Sequence, residues 1–142
     1  MTLDDAVALA TKAHAGQFDK AGKPYIDHPL RVMAGVSSPK EKIAAILHDV
    51  LEDTSVSLDD LRRIGCPEEV VAAVDALTMR SGEPNMAYYS RVASNPIALV
   101  VKRADIADNS DPKRLAQLPS GVADRLRTKY VTALAALNKF GP

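Results

Sequence analysis

The sequence predicts an all-α protein, and three observations support this prediction. Apolar residues recur at helical spacing along most of the chain, and no strand-type alternation continues beyond a few residues. Ser, Thr and Pro stand where helices are expected to begin, and Gly stands where helices are expected to end. The 142 residues are enough for one well-packed domain and too few for two. We therefore predict one helical domain over residues 1–142.

The N-terminal segment contains two predicted helices joined by a loop. Thr2, followed three residues later by Asp5, is typical of a capping box and predicts a helix over residues 2–15. Residues 16–25 contain two glycines and a proline, which indicates an ordered loop. A short helix is predicted over residues 29–36.

The next predicted helix begins at Pro39 and continues through AAILHDVLEDT, residues 44–54. After it, Ser57 and Asp60 have the spacing that caps a short helix, which is expected to reach residue 64 and end at Gly65.

The second half of the chain is predicted to be helical with few interruptions. It contains, in order, a helix over residues 67–77, a loop at SGEPN (residues 81–85), a helix over residues 96–109 and a helix over residues 121–140. The apolar run IALVV also has the composition of a buried strand, but Pro96 at its start and the length of the segment favour a helix. Gly141 and Pro142 are expected to stop the last helix.

Composition excludes several classes of protein. Lys plus Arg and Asp plus Glu are 18 each, so the net charge of zero does not favour a nucleic-acid or membrane surface. The single cysteine, Cys66, excludes a disulfide framework or a cysteine-based zinc site within the chain, and we assign it a packing or capping role. With neither a leader pattern nor an apolar stretch of membrane-spanning length, a cytoplasmic protein is expected. A homodimer is a general expectation for such proteins.

One side of the AAILHDVLEDT segment is unusually acidic. On a continuous helix, His48, Asp49, Glu52 and Asp53 fall within an arc of roughly 140°, and apolar residues occupy the rest. A solvated face is the usual explanation of such a pattern. It normally mixes charges, because like charges four residues apart repel each other. A solvated face and a metal site therefore both stay open.

Two further segments favour the metal site. His28 precedes Pro29 at the end of the Gly/Pro loop, and Asp105 lies one turn before Asn109 in VKRADIADN. Two imidazoles and two carboxylates suit Mn²⁺, Fe²⁺ or Zn²⁺ better than Ca²⁺. Taken singly, each residue also has an ordinary explanation, as a hydrogen-bonding histidine in a loop or as a surface aspartate.

Four segments in order resemble a known family. AHAGQFDKAGKPYIDHP, ILHDVLEDT, ALT and VKRADIADN are similar to motifs of the HD phosphohydrolase superfamily, in particular the hydrolase domain of Rel/Spo-type alarmone enzymes and the small alarmone hydrolases. The resemblance implies an all-α fold, one Mn²⁺ ion and removal of pyrophosphate from the 3′ position of guanosine tetra- and pentaphosphate (ppGpp and pppGpp), which leaves GDP or GTP. The separate synthetase domain of bifunctional members has no room in this chain.

The resemblance also implies roles for single residues. The metal ligands would be His28, His48, Asp49 and Asp105, and the carboxylates that orient or deprotonate the attacking water would be Glu52 and Asp53. A cation would then supply the positive charge that the acidic face lacks.

Two more residues match family positions that bind substrate. Lys20 matches a basic residue of the substrate loop, and Asn109 matches a position near the nucleoside. Each has an alternative, as a solvated lysine and as a helix-capping asparagine. His14, in the AHAGQ segment, is predicted to be a structural hydrogen-bonding residue near the site and not a ligand.

The chain departs from the family in the segments that recognise substrate. Asp19 and Ala21 stand where alarmone enzymes typically have Arg and Ser, and Asp111 and Pro112 stand where bifunctional members have Arg and Thr. Each charged hydrogen bond lost costs about 1.5–3 kcal/mol of binding free energy. If Asp19 faces the substrate, Asp19→Arg is expected to lower the Michaelis constant for the alarmone. Five other basic residues are candidates to compensate: Arg31, Arg80, Lys102, Arg103 and Lys129.

Two other functions stay open. The departures allow a phosphohydrolase of the same architecture that acts on another nucleotide, such as NADPH or a simple nucleotide. A helical regulatory domain without turnover is also possible, but it has no need to keep both the ligand set and the water-handling carboxylates.

Overall fold

The computed structural model describes residues 1–141, and Pro142, predicted to help stop the last helix, lies outside the described residues. Residues 1–141 form ten helices: α1 (Leu3–Ala13), α2 (Asp27–Ala34), α3 (Pro39–Leu47), α4 (Val50–Asp53), α5 (Leu58–Arg63), α6 (Glu68–Leu77), α7 (Asn85–Ala93), α8 (Pro96–Asn109), α9 (Pro112–Leu115) and α10 (Ser120–Phe140).

The all-α prediction is confirmed. Over residues 1–141, extended pairing is limited to one isolated antiparallel bridge between Phe18 and Pro24, in the loop after α1. The IALVV run is helical and forms the start of α8. In the described part of the chain, no helix has the length and apolar character needed to cross a membrane.

The predicted start signals act as expected. The Thr2 hydroxyl accepts a hydrogen bond from the Asp5 backbone N–H at 3.1 Å, and the Asp5 carboxylate accepts one from the Thr2 N–H at 2.9 Å. Ser57 and Asp60 form the same reciprocal pair at the start of α5. These side chains satisfy N–H groups that have no partner inside the helix.

The predicted continuous helix from Pro39 through the acidic segment is wrong, because His48 and Asp49 form a turn between α3 and α4. Asp49 has φ −102° and ψ −2°, away from helical values near −63° and −42°. The His48 imidazole Nδ1 lies 2.5 Å from the Ala45 carbonyl oxygen. In a continuous helix that oxygen would accept the Asp49 N–H, so the imidazole takes the place of the next helical hydrogen bond.

Two helices were not predicted, α7 and the short α9. The helix α7 begins at Asn85, the last residue of the predicted SGEPN loop, and it buries Tyr88, Tyr89, Val92 and Ala93. The Tyr88 hydroxyl donates to the Leu77 carbonyl at 2.7 Å, which joins α7 to the end of α6. Tertiary packing therefore specifies α7, whose sequence has a weak start signal.

The helix α3 lies at the centre of the core and packs against α1, α2, α6 and α8. Its side chains Ile46 and Leu47 are fully buried. One connected cluster of buried apolar side chains extends from Ala6 to Leu137, which supports the predicted single domain, although the domain assignment for residues 1–142 stays a prediction. Cys66 belongs to this cluster, and burial raises the pKa of its thiol, as expected for a packing role.

Truncation of Ile46 to alanine is expected to lower the free energy of unfolding by about 2–5 kcal/mol, because it leaves a cavity in a fully buried position. Urea denaturation followed by circular dichroism measures this change. Val131→Ala is the matched control, since Val131 is 69% exposed, and it should change the stability by less than about 0.5 kcal/mol. Equal losses in the two variants would contradict the position assigned to α3.

Candidate metal centre and active site

The four predicted metal ligands meet at one place. His28, His48, Asp49 and Asp105 each offer one ligand atom, and these atoms lie within 4.8 Å of one another. Asp105 Oδ1 is 2.8 Å from His28 Nε2 and 3.3 Å from His48 Nε2. Donor atoms that share a cation at about 2.1 Å lie roughly 3 Å apart, so the spacing of these atoms fits a bound transition metal.

The ligands come from three segments that the fold brings together. His28 lies in the first turn of α2, Asp105 lies on α8, and His48 with Asp49 forms the turn at the end of α3. His28, His48 and Asp105 are buried, while Asp49 is partly exposed. The turn interrupts the helix on which the sequence placed His48 and Asp49, and the ligand atoms of both still lie within 4.8 Å of that of Asp105.

Electrostatic coupling at the cluster is strong. Burial acts to lower the pKa of His28, but hydrogen bonds with Asp105 and Asp108 outweigh it and raise the pKa. Burial acts to raise the pKa of Asp105, but the Lys102 ammonium and the two histidines hold it well below its usual range. The pKa of His48 is likewise raised well above its usual value, since nearby carboxylates outweigh the effect of burial. The ionised carboxylates therefore attract positive charge, which a divalent cation would provide.

Tyr25 contacts the cluster from the loop before α2. Its hydroxyl donates a hydrogen bond to Asp49 Oδ2. Burial acts to raise the pKa of Asp49, but the charge and hydrogen bond of His48, together with the hydrogen bond from Tyr25, outweigh it and lower the pKa. Tyr25, which ends the loop predicted over residues 16–25, is thus in direct contact with a candidate ligand.

Glu52 and Asp53 lie on α4, one turn after the candidate ligands. Glu52 Oε1 accepts a hydrogen bond from the Met79 backbone N–H at 2.5 Å. Burial raises the pKa of both carboxyl groups, and the negative charge of Asp49 raises both further. A carboxylate with a raised pKa is a better proton acceptor, which fits the predicted water-handling role.

His14 is a hydrogen-bonding residue near the site, as predicted. Its Nδ1 lies 2.9 Å from Gln17 Oε1, and Gln17 Nε2 donates to the backbone carbonyl of Asp53 at 3.0 Å. His14 is 2% exposed, and its Nε2 has no hydrogen-bond partner among the residues that the structure describes. The bonds through Gln17 connect α1 to the end of α4 and so help to fix the position of Asp53.

A cavity of about 370 Å³ adjoins the cluster and reaches His28, Asp49 and Asp105. Both predicted substrate-binding residues, Lys20 and Asn109, line it. The Asn109 side chain Nδ2 also donates to Asp105 Oδ1 at 3.1 Å, so Asn109 contacts a candidate ligand directly. Four basic residues line this cavity: Lys20, Lys102, Arg114 and Lys129.

The five compensating cations suggested by the sequence divide into two groups. Lys102 and Lys129 line the cavity. The other three are not among the residues that line it and pair with other side chains: Arg31 with Asp108, Arg80 with Asp75 and Arg103 with Asn138. Arg114, on the unpredicted helix α9, was missed, and no signal in the sequence connects it to the site.

Glu52 lines an adjoining cavity of about 330 Å³, which shares Tyr89, Lys102 and Lys129 with the first. The two cavities therefore meet at these shared residues. Glu52 and Asp53 do not line the first cavity. Glu52 thus lines the cavity that Asn85 and Tyr88 of α7 also line, whereas Lys20 lines the first cavity.

The Asp19 carboxylate stabilises its own loop. Asp19 Oδ1 accepts hydrogen bonds from the backbone N–H groups of Ala21 and Lys23, each at 2.9 Å. Its Oδ2 lies 3.6 Å from Arg114 Nη2, and the side chain is 11% exposed. The departure from arginine at this position therefore removes a cation from the loop and provides an acceptor that orders the loop.

Comparison with known proteins identifies relatives of this chain. A family model described as HD domain matches residues 6–107. A protein of Streptomyces coelicolor named GTP pyrophosphokinase is 36% identical over 120 residues, which cover 75% of this chain and 14% of that protein. A protein of Aquifex aeolicus named guanosine-3′,5′-bis(diphosphate) 3′-pyrophosphohydrolase is 34% identical over 131 residues, which cover 89% of this chain and 17% of that protein. This chain thus spans a small part of the length of these curated relatives.

A solved structure has the same fold. It is described as a metazoan orthologue of SpoT that hydrolyses ppGpp. It aligns with a TM-score of 0.79 at 22% sequence identity, and the alignment covers 98% of this chain and 86% of that chain. The arrangement of helices around the candidate metal centre is therefore shared with a solved protein.

Proposed function

This chain belongs to the HD domain family, and from that premise we propose that it is a metal-dependent phosphohydrolase that removes the 3′-diphosphate of guanosine 3′,5′-bis(diphosphate). The observation that carries the proposal is the convergence of His28, His48, Asp49 and Asp105 beside a cavity whose lining includes four basic residues. The name of the Aquifex aeolicus relative supports this substrate. The Streptomyces coelicolor relative is named for a pyrophosphokinase, but the ligand cluster and adjacent carboxylates here suit hydrolysis.

The proposed metal ligands are the four converging side chains, and the proposed ion is Mn²⁺. Their mixed nitrogen and oxygen donors suit a divalent transition metal, whereas a set of ligands with oxygen donors alone would suit Mg²⁺ or Ca²⁺ better. When bound, the cation would activate water and neutralise charge on the phosphoryl oxygens.

The side chains around the cluster then have distinct proposed roles. Glu52 accepts the proton of the attacking water, and Asp53 orients that water. Lys20 and Asn109 bind the nucleotide from the loop and from α8. Lys102 and Lys129 offer positive charge to the diphosphates where the two cavities meet.

The proposed reaction is a hydrolysis at the phosphorus bonded to the ribose 3′ oxygen. The oxygen of water forms the new bond to this phosphorus, and the bond to the ribose oxygen breaks. Pyrophosphate leaves with the water oxygen, and the 3′ oxygen takes up a proton to give GDP. The same step on the pentaphosphate gives GTP.

The direct test is to incubate the purified protein with Mn²⁺ and guanosine 3′,5′-bis(diphosphate) and to separate the products by chromatography. Release of GDP and pyrophosphate in equal amounts, abolished by a chelator, is the expected result. Absence of release from a protein that binds one Mn²⁺ per chain would reject this substrate, and other phosphorylated nucleotides, including NADPH, would then be assayed.

The Asp19→Arg variant is expected to raise the Michaelis constant for this substrate, because the structure gives Asp19 a role within the loop. The substitution removes the acceptor of two exposed backbone N–H groups, and each lost hydrogen bond costs about 0.5–1.5 kcal/mol of loop stability. It also places a second cation beside Arg114. Steady-state kinetics measures the change. Asp19→Asn keeps the acceptor oxygen and should stay close to the wild type, whereas a lower Michaelis constant for Asp19→Arg would show that this side chain faces the substrate.

A further inference from the structure

We propose that Asp108 is a positioning residue that fixes the imidazole of His28 in the orientation that binds the metal. Asp108 was not singled out by the sequence, and it is not one of the four candidate ligands. The inference rests on the proposed metal site, but it does not depend on the identity of the nucleotide.

The geometry places His28 between two carboxylates. Its Nε2 lies 2.8 Å from Asp105 Oδ1, inside the candidate metal cluster, and its Nδ1 lies 2.6 Å from Asp108 Oδ2 on the other side of the ring. With the proton on Nδ1, where it can be donated to Asp108, the lone pair that a cation would bind is on Nε2. A carboxylate behind a metal-binding histidine fixes both its tautomer and its ring orientation.

Asp105 and Asp108 are three residues apart on α8, so their side chains lie on the same face of that helix. One helix therefore supplies both a candidate ligand and the acceptor behind a second ligand. This arrangement sets the position of His28, which is 80 residues from Asp108 along the chain, relative to Asp105.

Two arginines hold Asp108 in place. Arg31 Nε donates to Asp108 Oδ1 at 2.8 Å, and Arg114 Nη1 donates to Asp108 Oδ2 at 2.8 Å. The Asp108 side chain is 10% exposed, so little water competes for its oxygens. Charged hydrogen bonds to both oxygens restrict rotation of the carboxylate, and the acceptor for His28 is thereby fixed before metal binds.

Arg114 connects this acceptor to the cavity. It lines the cavity, and its guanidinium also lies 3.6 Å from Asp19 in the loop that carries Lys20. Because Arg114 contacts both the loop and Asp108, substitution of Arg114 would alter two features at once. The test is therefore made at Asp108.

The first experiment measures the affinity for Mn²⁺ in the absence of nucleotide. Electron paramagnetic resonance detects the free ion and so gives the fraction that is bound. Asp108→Ala is expected to weaken Mn²⁺ binding about 10–100-fold. Asp108→Asn should recover most of that loss, because its amide oxygen can still accept the Nδ1–H. The matched control is Asp124→Ala, since the Asp124 side chain is 73% exposed and pairs with Arg127 on the surface. This variant should bind Mn²⁺ with the affinity of the wild type.

A second measurement needs no variant and remains decisive if Asp108→Ala does not fold. The chain has three histidines, so nitrogen-15 NMR of the Zn²⁺-loaded wild type can assign each ring nitrogen. We expect Zn²⁺ on Nε2 of His28 and a proton on Nδ1. Metal on Nδ1, or wild-type Mn²⁺ affinity in a folded Asp108→Ala protein, would overturn the positioning role.

These readouts separate the inference from the proposed function. If the variants show the expected Mn²⁺ affinities but the wild type releases no pyrophosphate from the alarmone, the role of Asp108 is supported and the proposed substrate is rejected. Conversely, if the wild type hydrolyses the alarmone rapidly and Asp108→Ala binds Mn²⁺ with unchanged affinity, the proposed function is supported and the role of Asp108 is rejected.

Discussion

Replacement of Asp49 by alanine is expected to abolish Mn²⁺ binding and turnover together. Asp49 offers an oxygen to the cluster, and its Oδ2 lies 3.0 Å from His48 Nε2. Loss of a partner behind a ligand typically weakens metal binding about 10–100-fold, so loss of a ligand itself should cost more than that. Without the cation, the phosphoryl oxygens lose their main source of positive charge, and hydrolysis should fall below detection.

Mn²⁺ titration and the pyrophosphate assay are to be run on the same preparation of Asp49→Ala. Circular dichroism of the metal-free protein checks the fold, because the Tyr25 hydroxyl loses its acceptor in this variant. Asp59→Ala is the matched control, since the Asp59 side chain is 73% exposed and pairs with Arg62. A folded Asp49→Ala protein that still releases pyrophosphate would refute the proposed ligand set.

Much of the fold follows from local signals that the sequence displays. The capping pairs Thr2–Asp5 and Ser57–Asp60 are three residues apart, and such contacts depend on nearby residues alone. The break at His48 is harder to predict, because a side chain there replaces a backbone hydrogen bond of a segment with helical periodicity. The helix α7 was missed because its burial against α6 and α10 is a tertiary effect.

The candidate ligands were found by resemblance to family motifs, while their surroundings required the fold. His28 and Asp108 are 80 residues apart in sequence, and His28 and Asp105 are 77 apart. A basic residue such as Arg114 gives no sign in the sequence that it lies behind Asp108 and beside the cavity. The role of Asp19 also required the fold. The sequence shows only that an aspartate replaces the arginine of the family motif, and the structure shows that its carboxylate accepts hydrogen bonds from its own loop.

Replacement of Glu52 by glutamine is expected to separate metal binding from chemistry. Glu52 is not one of the candidate ligands, so the variant should bind Mn²⁺ with wild-type affinity. Glutamine keeps an oxygen that can accept the Met79 N–H, and α4 should therefore keep its contact with the residues that follow α6. Because the amide cannot take a proton from water, kcat should fall about 10²–10⁴-fold if Glu52 is the general base.

The comparison that decides this role uses three variants with equal changes in charge. Glu69→Gln is the surface control, since the Glu69 side chain is 68% exposed and pairs with Lys40, and it should leave kcat unchanged. If Glu52→Gln turns over as fast as the wild type while Asp53→Asn does not, Asp53 is the proton acceptor and Glu52 serves to hold α4 against Met79. The raised pKa of both carboxyl groups allows either to act as the base, so the kinetic difference between the two variants, measured at saturating Mn²⁺, assigns the proton transfer to one of them.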